Sequence, residues 1–154
     1  MMKTQTLHRE QYVGRPLPEV FQFFERPENL ALLTPPSLGF RMLTPSPILM
    51  GRGTVIDYSI RVMGVRMKWQ SLISAYAPLS AFSDEQVRGP YAFWHHTHTF
   101  AESDGGTLLT DEVQYALPFG FLGRIGQWLF VERQLEQIFS YREQAIERIF
   151  STEE

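Results

Sequence analysis

The hydrophobic periodicity changes once along this chain, and that change constrains the fold more than any other feature. Between Gly53 and Ile73 apolar side chains alternate with polar ones, as in half-buried strands. After Pro118 the apolar residues recur at spacings of three and four up to Ile149, which is typical of an amphipathic helix. The chain should therefore contain a run of strands followed by one long helix.

Turn sequences divide the rest of the chain into shorter elements. Proline and glycine interrupt the alternation repeatedly, because proline fixes φ and glycine accepts a positive φ. The pattern predicts an α+β fold, in which a curved antiparallel sheet of about seven strands wraps around the C-terminal helix, with two short helices after strand 1. The predicted strands are Thr4–Val13, Gly39–Thr44, Gly53–Met63, one through Met67 and Ile73, Ala81–Arg88, Tyr91–Glu102 and Thr107–Leu117. The predicted helices are Glu19–Glu25, a short one that starts at Pro27 and is stopped by Pro35-Pro36, and Phe121–Phe150.

Composition narrows the class of protein. The 154 residues are 44% hydrophobic and 20% charged, which fits a globular chain, and we expect one domain over residues 1–154. A net charge of −3 argues against a nucleic-acid partner, and the absence of cysteine excludes disulfides and thiolate chemistry. With no signal-peptide-like run at the N-terminus and no membrane-spanning segment, a cytoplasmic protein is expected. The 14% of aromatic residues is high and favours a cavity walled by rings.

The densest polar chemistry lies on one predicted strand, from Trp94 to Phe100. Three of the four histidines of the chain occur there. Side chains of a strand alternate, so bulky Trp94 and Phe100 carry His96 and His98 to the interior, while His95 faces the opposite side. A slip of one residue would reverse this assignment.

Counting outward from the two turns predicts the partners of these histidines. A turn at Gly89-Pro90 sets Asp84 opposite His96 and Gln86 opposite Trp94. A turn at Asp104-Gly105 sets Asp111 opposite His98, Val113 opposite His96 and Tyr115 opposite Trp94. Opposed Cβ atoms lie about 5 Å apart, so each carboxylate could bond an imidazole. The predicted pairs are Asp84–His96 and His98–Asp111, and each aspartate would raise the pKa of its histidine while burial lowers it.

Three interpretations of this cluster stay open. It could be a structural polar network that sets strand register, or the polar end of a ligand pocket. It could also be a metal site, since His96-x-His98 has ligand spacing, but the only histidine outside the cluster is His8 and carboxylates would have to complete the shell. We expect no metal and no cofactor.

Several local motifs, together with the order of elements, resemble the START-like, or SRPBCC, superfamily. The similarity implies the helix-grip fold over essentially the whole chain, and points to a bacterial ligand-binding branch whose members are sometimes labelled cell-division inhibitors. The superfamily includes polyketide cyclases/dehydratases, lipid-transfer domains and plant ligand binders. The motifs are Phe82-Ser83-Asp84-Glu85-Gln86, Gly89-Pro90, Trp94-His95-His96-Thr97-His98-Thr99-Phe100, Gly105-Gly106-Thr107 through Asp111, and Leu117-Pro118-Phe119-Gly120.

Three functions are compatible with these features. The first is binding of a small hydrophobic molecule in a cavity of roughly 300 Å³ or more between the sheet and the C-terminal helix. The second is a cofactor-independent cyclase/dehydratase-type lyase or isomerase, with His96, His98, Asp84 and Asp111 as candidate acid/base groups. The third is an interaction domain with a collapsed pocket. The predicted ligand-binding residues are Ile56, Tyr58, Trp69, Ile73, Gln86, Trp94, His96, His98, Phe100, Asp111, Val113, Tyr115, Trp128 and Leu129.

Overall fold

The computed structural model describes residues 4–62, 64–118 and 125–151, and for residues 125–128 the backbone alone. The strands are β1 (Gln5–Val13), β2 (Arg41–Met42), β3 (Val55–Val62), β4 (Val65–Ala77), β5 (Ala81–Arg88), β6 (Phe93–Ser103) and β7 (Gly106–Ala116). The helices are α1 (Leu17–Phe24) and α2 (Ile125–Ser151), and two 3₁₀ helices cover Pro27–Leu33 and Pro36–Leu38. The predicted start of the long helix at Phe121 lies outside the described residues.

All seven strands form one antiparallel sheet in the order β1-β7-β6-β5-β4-β3-β2. From β3 to β7 the order follows the chain, as tight turns require. Gly64 and Gly105 have φ of 84° and 78° at two of these turns. Strand β4 is bulged between Gln70 and Ser71 and again between Ile73 and Ala75, and bulges bend a strand and increase its twist. The predicted α+β helix-grip fold is confirmed.

Strand β2 is much shorter than predicted. Only Arg41 and Met42 pair with β3. The hydroxyl of Thr44 accepts a hydrogen bond from the backbone N–H of Asp57, which replaces a backbone partner at this sheet edge. Beyond Thr44, Pro45 and Pro47 have no N–H to donate to a ladder, so regular pairing ends.

Helix α2 packs its apolar stripe against the concave side of the sheet. Leu135, Phe139 and Ile146 are buried along this stripe. At the β1 edge the guanidinium of Arg9 donates to the Glu136 carboxylate at 2.6 Å and holds the helix to the sheet. No helix in the described part of the chain is long and apolar enough to cross a membrane.

Two aromatic clusters flank the middle of β6. Phe100 packs with Phe21, Phe24 and Phe82 at one end. Trp94 packs edge-to-face against Trp69 at the other end, with ring centroids 5.2 Å apart. The two inward histidines of β6 therefore lie between two blocks of ring surface.

Candidate functional site

Strand pairing places the predicted histidines and aspartates in one layer. His96 and His98 are buried, with 6% and 7% of their surfaces exposed. The ladders set Asp84 opposite His96 and Asp111 opposite His98. His95 lies on the other face, where its Nε2 is 3.7 Å from the Glu85 carboxylate. The predicted register of both pairs is confirmed, but the β5–β6 ladder ends at Glu85 and His95 and does not include the predicted pair of Gln86 and Trp94.

The short hydrogen bonds of this layer run diagonally, not straight across. His96 Nε2 is 2.8 Å from Asp111 Oδ1, and His98 Nε2 is 2.9 Å from Asp84 Oδ2. The prediction that each histidine bonds the aspartate directly opposite is therefore wrong for both short hydrogen bonds. The observed short pairs are His96–Asp111 and His98–Asp84. Side chains lean along a strand, so a ring reaches the diagonal neighbour of its backbone partner. His98 Nδ1 also faces Asp111 Oδ1 at 3.4 Å, a longer electrostatic contact.

The two imidazoles lie in a stack of rings. The ring centroids of His96 and His98 are 3.7 Å apart with an angle of 24° between the planes. Phe82 covers the other face of His98 at 4.3 Å. The packing fixes both rings, so the Nε2 atom of each histidine points to one defined carboxylate.

Arg142 completes the cluster from helix α2, and the sequence analysis missed it. Its Nη2 is 3.4 Å from Asp111 Oδ1. The guanidinium carbon lies 5.5 Å and 5.9 Å from the ring centroids of Phe24 and Phe139, within cation–π range. A signal was present: Arg142 occupies a position of the apolar helix stripe, three residues after Phe139 and four before Ile146. We call Asp84, His96, His98, Asp111 and Arg142 the polar cluster.

Burial and charge act in opposite directions on the carboxylates of the polar cluster. Burial alone would raise the pKa of Asp111, but the charge of Arg142 and the bonds from both histidines hold it well below the ordinary value. Burial likewise opposes ionisation of Asp84, and the hydrogen bond from His98 outweighs it, so the pKa of Asp84 is lowered. Both carboxylates are ionised at neutral pH.

The two histidines shift in opposite directions. Burial and the charge of His98 lower the pKa of His96, more than Asp111 raises it. For His98 burial is outweighed by hydrogen bonds to Asp111 and Asp84, so its pKa is raised. The neighbouring phenol of Tyr58 also has a raised pKa, because it is buried and close to the charge of Asp84. Of the two rings, His98 is therefore the favoured site for a proton, and His96 is the one that stays neutral.

A cavity of about 230 Å³ lies between the sheet and α2, and Asp84, His96, His98 and Arg142 of the polar cluster form part of its wall. It is smaller than the predicted 300 Å³, because side chains from α1, the 3₁₀ helix and α2 project into it. Eight of the residues selected from the sequence line it, namely Ile56, Tyr58, Trp69, Ile73, Asp84, Trp94, His96 and His98.

Six predicted ligand-binding residues do not line the cavity. Gln86 folds back onto its own turn, where its amide bonds the backbone N–H and C=O of Tyr91. Asp111 is absent from the lining, and Leu129 is 49% exposed on α2. Phe100, Val113 and Tyr115 are buried in the packed clusters. The side chain of Trp128 lies outside the described residues.

Much of the cavity wall comes from elements whose packing around the cavity could not be predicted from the sequence. Arg142 lines the cavity, and so do aromatic and aliphatic residues from both ends of the chain. The principal missed residues are Phe24, Leu33, Leu38, Phe40, Ile60, Phe82, Tyr91, Leu135, Ile138 and Phe139. Hydrophobic periodicity marks them as buried but does not say that they face a cavity rather than the packed core.

Asp84, His96 and His98 offer donor atoms within 4.8 Å of one another, the usual prerequisite for a metal site. Their orientation does not suit one. Nitrogen lone pairs lie in the ring planes, and two nearly parallel planes 3.7 Å apart do not converge on one ion. Nε2 of each histidine is also bonded to a carboxylate. The geometry favours a hydrogen-bonded polar network.

Solved structures share this architecture. Norcoclaurine synthase from Thalictrum flavum matches with a TM-score of 0.69 and 11% identity, over 99% of this chain and 97% of that chain. The di-domain ARO/CYC StfQ of the steffimycin biosynthetic pathway matches with a TM-score of 0.71 and 10% identity, over 96% of this chain and 50% of that one. A nucleoside-diphosphate sugar epimerase from Corynebacterium glutamicum matches with a TM-score of 0.69 and 24% identity, over 92% of this chain and 28% of that one.

These likenesses define the class of protein by its fold. No protein-family model and no curated protein sequence matches the chain. All three identities are below 25%, so the comparison establishes architecture alone. The chain therefore has the helix-grip fold, as the resemblance of its sequence motifs implied.

Proposed function

We propose that this protein binds a small hydrophobic molecule in the cavity between the sheet and helix α2. The observation that carries the proposal is the combination of an apolar wall with one polar end. Trp69, Trp94 and Ile73 supply ring and aliphatic surface, and the polar cluster supplies directed hydrogen-bonding groups. Small-molecule sites are typically built in this way, with few polar groups in a mostly apolar cleft.

The fold supports the same proposal. Its structural neighbours include norcoclaurine synthase and the ARO/CYC protein StfQ of the steffimycin biosynthetic pathway, whose names refer to the formation of small molecules. A cavity between sheet and helix favours ligand binding over an interaction domain with a collapsed pocket. The proposed partner is therefore a small apolar molecule, and we infer that the protein works in the cytoplasm as one domain.

Native mass spectrometry of the purified protein tests this proposal. We expect a co-purifying small molecule that is released on denaturation. Ile60→Trp should reduce its occupancy, because Ile60 lines the cavity and an indole there would fill it. Val65→Trp is the matched control, since Val65 is 62% exposed and lies outside the cavity. Equal occupancy in both variants would contradict the proposed location.

An acid/base enzyme is the second candidate, and one observation favours it. His96 is held by an ionised carboxylate and is itself neutral, which is the arrangement of a general base. Removing His98 separates the two functions. A binding protein should retain most of its ligand in His98→Gln, whereas an acid/base catalyst should lose turnover of that ligand by a factor of about 10²–10⁴.

A further inference from the structure

Some donors and acceptors of the polar cluster have no partner within the described part of the chain. These unpaired atoms determine which chemical group of a ligand fits the polar cluster. Asp84 is ionised, and an ionised carboxylate only accepts hydrogen bonds. Its Oδ2 accepts from His98, which leaves Oδ1 without a donor among the described residues. Asp84 lines the cavity. One charged acceptor is therefore available to a ligand.

His96 adds a second acceptor. Asp111 is ionised, so the short contact to it requires that His96 Nε2 carries the hydrogen and donates. A neutral imidazole holds one hydrogen only, so Nδ1 of His96 carries a lone pair. His96 lines the cavity beside Asp84.

Arg142 contributes a hydrogen-bond donor. An arginine donates and never accepts. Its Nη2 faces Asp111, and its buried Nε is closed off from the cavity, so Nη1 is the donor that has no partner among the described residues. Arg142 also lines the cavity. The polar end thus combines unused acceptors with an unused donor.

We infer that the ligand carries a hydroxyl group at the end that contacts Asp84, His96 and Arg142, on an apolar body of one or two rings. This inference rests on the proposed function. A hydroxyl donates one hydrogen bond and accepts two, so it can satisfy both kinds of group at once. A carbonyl or an ether only accepts, and would leave the acceptors of Asp84 and His96 unused. A carboxylate would add a negative charge beside two ionised aspartates.

The apolar residues of the cavity wall determine the size and shape of the rest of the ligand. Trp69, Trp94 and Phe139 present large rings, and the volume of about 230 Å³ limits the ligand to a compact molecule. A fused bicyclic ring system has suitable flat faces for these side chains.

Equilibrium dialysis with three matched probes tests the inference: 2-naphthol, 2-methoxynaphthalene and naphthalene. We expect 2-naphthol to bind about 10–100-fold more tightly than the other two, since a hydrogen bond to a charged group gives that factor. Equal affinity of all three would overturn the hydroxyl assignment and leave the proposed hydrophobic binding intact. No binding of any probe would overturn the inference, while the co-purification experiment would still decide the proposed function.

A variant and its control test whether Asp84 is the acceptor of the ligand's hydroxyl group. Asp84→Asn should reduce the preference for 2-naphthol over 2-methoxynaphthalene to less than about threefold, because the acceptor loses its charge. Glu85→Gln is the matched control on the same strand, and it should leave the preference unchanged. The preference is a ratio of two dissociation constants measured on the same protein, so a change in the folded fraction of a variant cancels. The comparison of the three probes on the wild-type protein does not depend on any variant. An unchanged preference in Asp84→Asn would overturn the assignment to this cluster.

Discussion

The imidazoles of His96 and His98 stack with ring centroids 3.7 Å apart, yet their pKa values shift in opposite directions. Two positive charges at this separation would repel strongly, which opposes a second proton on the pair. His98 is the favoured site for the first proton because two carboxylates face its ring nitrogens. His96 has one short carboxylate contact and remains the neutral partner.

The first prediction concerns this shared proton. In an NMR titration of the ring nitrogens, His98 should titrate above the ordinary value of 6.5 and His96 below it. Because the sites interact, the curves should show two macroscopic steps that belong to the pair. The assignment would be wrong if His96 took up its proton first.

The second prediction concerns the link between sheet and helix. Asp111→Asn should reduce the free energy of unfolding by about 3–5 kcal/mol, because it leaves the buried charge of Arg142 without its partner. It should also lower the pKa of His98. Urea denaturation at neutral pH measures the stability. Glu112→Gln is the control, since the neighbouring Glu112 is exposed, and a similar loss there would contradict the special role of Asp111.

The third prediction is the pH dependence of stability in acid. The pKa of Asp111 is lowered in the folded protein, so its contribution is fully present above its unfolded value and is lost as the pH falls through the folded pKa. Stability should therefore decrease below about pH 4 in the wild type. The decrease should be shallower in Asp111→Asn, as measured by thermal unfolding at several pH values. Parallel curves would show that Asp111 is not responsible.

The strand register at the site could be predicted because it depends only on the alternation of side chains along each strand and on the positions of the turns. Side chains alternate along β6, and the two flanking turns fix which residues oppose His96 and His98. Local chemistry in the sequence specifies both. The resemblance to a known superfamily implies the same helix-grip fold as the hydrophobic periodicity.

The remaining features depend on distances that no local pattern encodes. The diagonal bonds from His96 and His98 arise from how each ring leans along its strand. The contact of Arg142 with Asp111 depends on how α2 docks against the sheet, 31 residues further along the chain. Gln86 has the right parity for the site, but its amide closes the turn before Tyr91 instead.

The fourth prediction tests that reassignment of Gln86. Gln86→Ala should lower the free energy of unfolding by about 1–2 kcal/mol, because it removes two hydrogen bonds to the backbone of Tyr91. It should leave the occupancy of the co-purifying ligand unchanged, since Gln86 is outside the cavity wall. Parallel measurements by denaturation and native mass spectrometry check both parts. A loss of ligand at unchanged stability would restore Gln86 to the site.

The fifth prediction concerns the packing that holds α2 over the cavity. Ile146 is 1% exposed within the helix stripe, and Ile146→Ala should cost about 2–5 kcal/mol through lost burial and the void left behind. Leu129→Ala, at an exposed position of the same helix, should change stability by less than about 0.5 kcal/mol. Urea denaturation of both variants gives the comparison. Equal losses would mean that the stripe through Ile146 does not carry the contact between helix and sheet, and the cavity beneath it would then lack its wall.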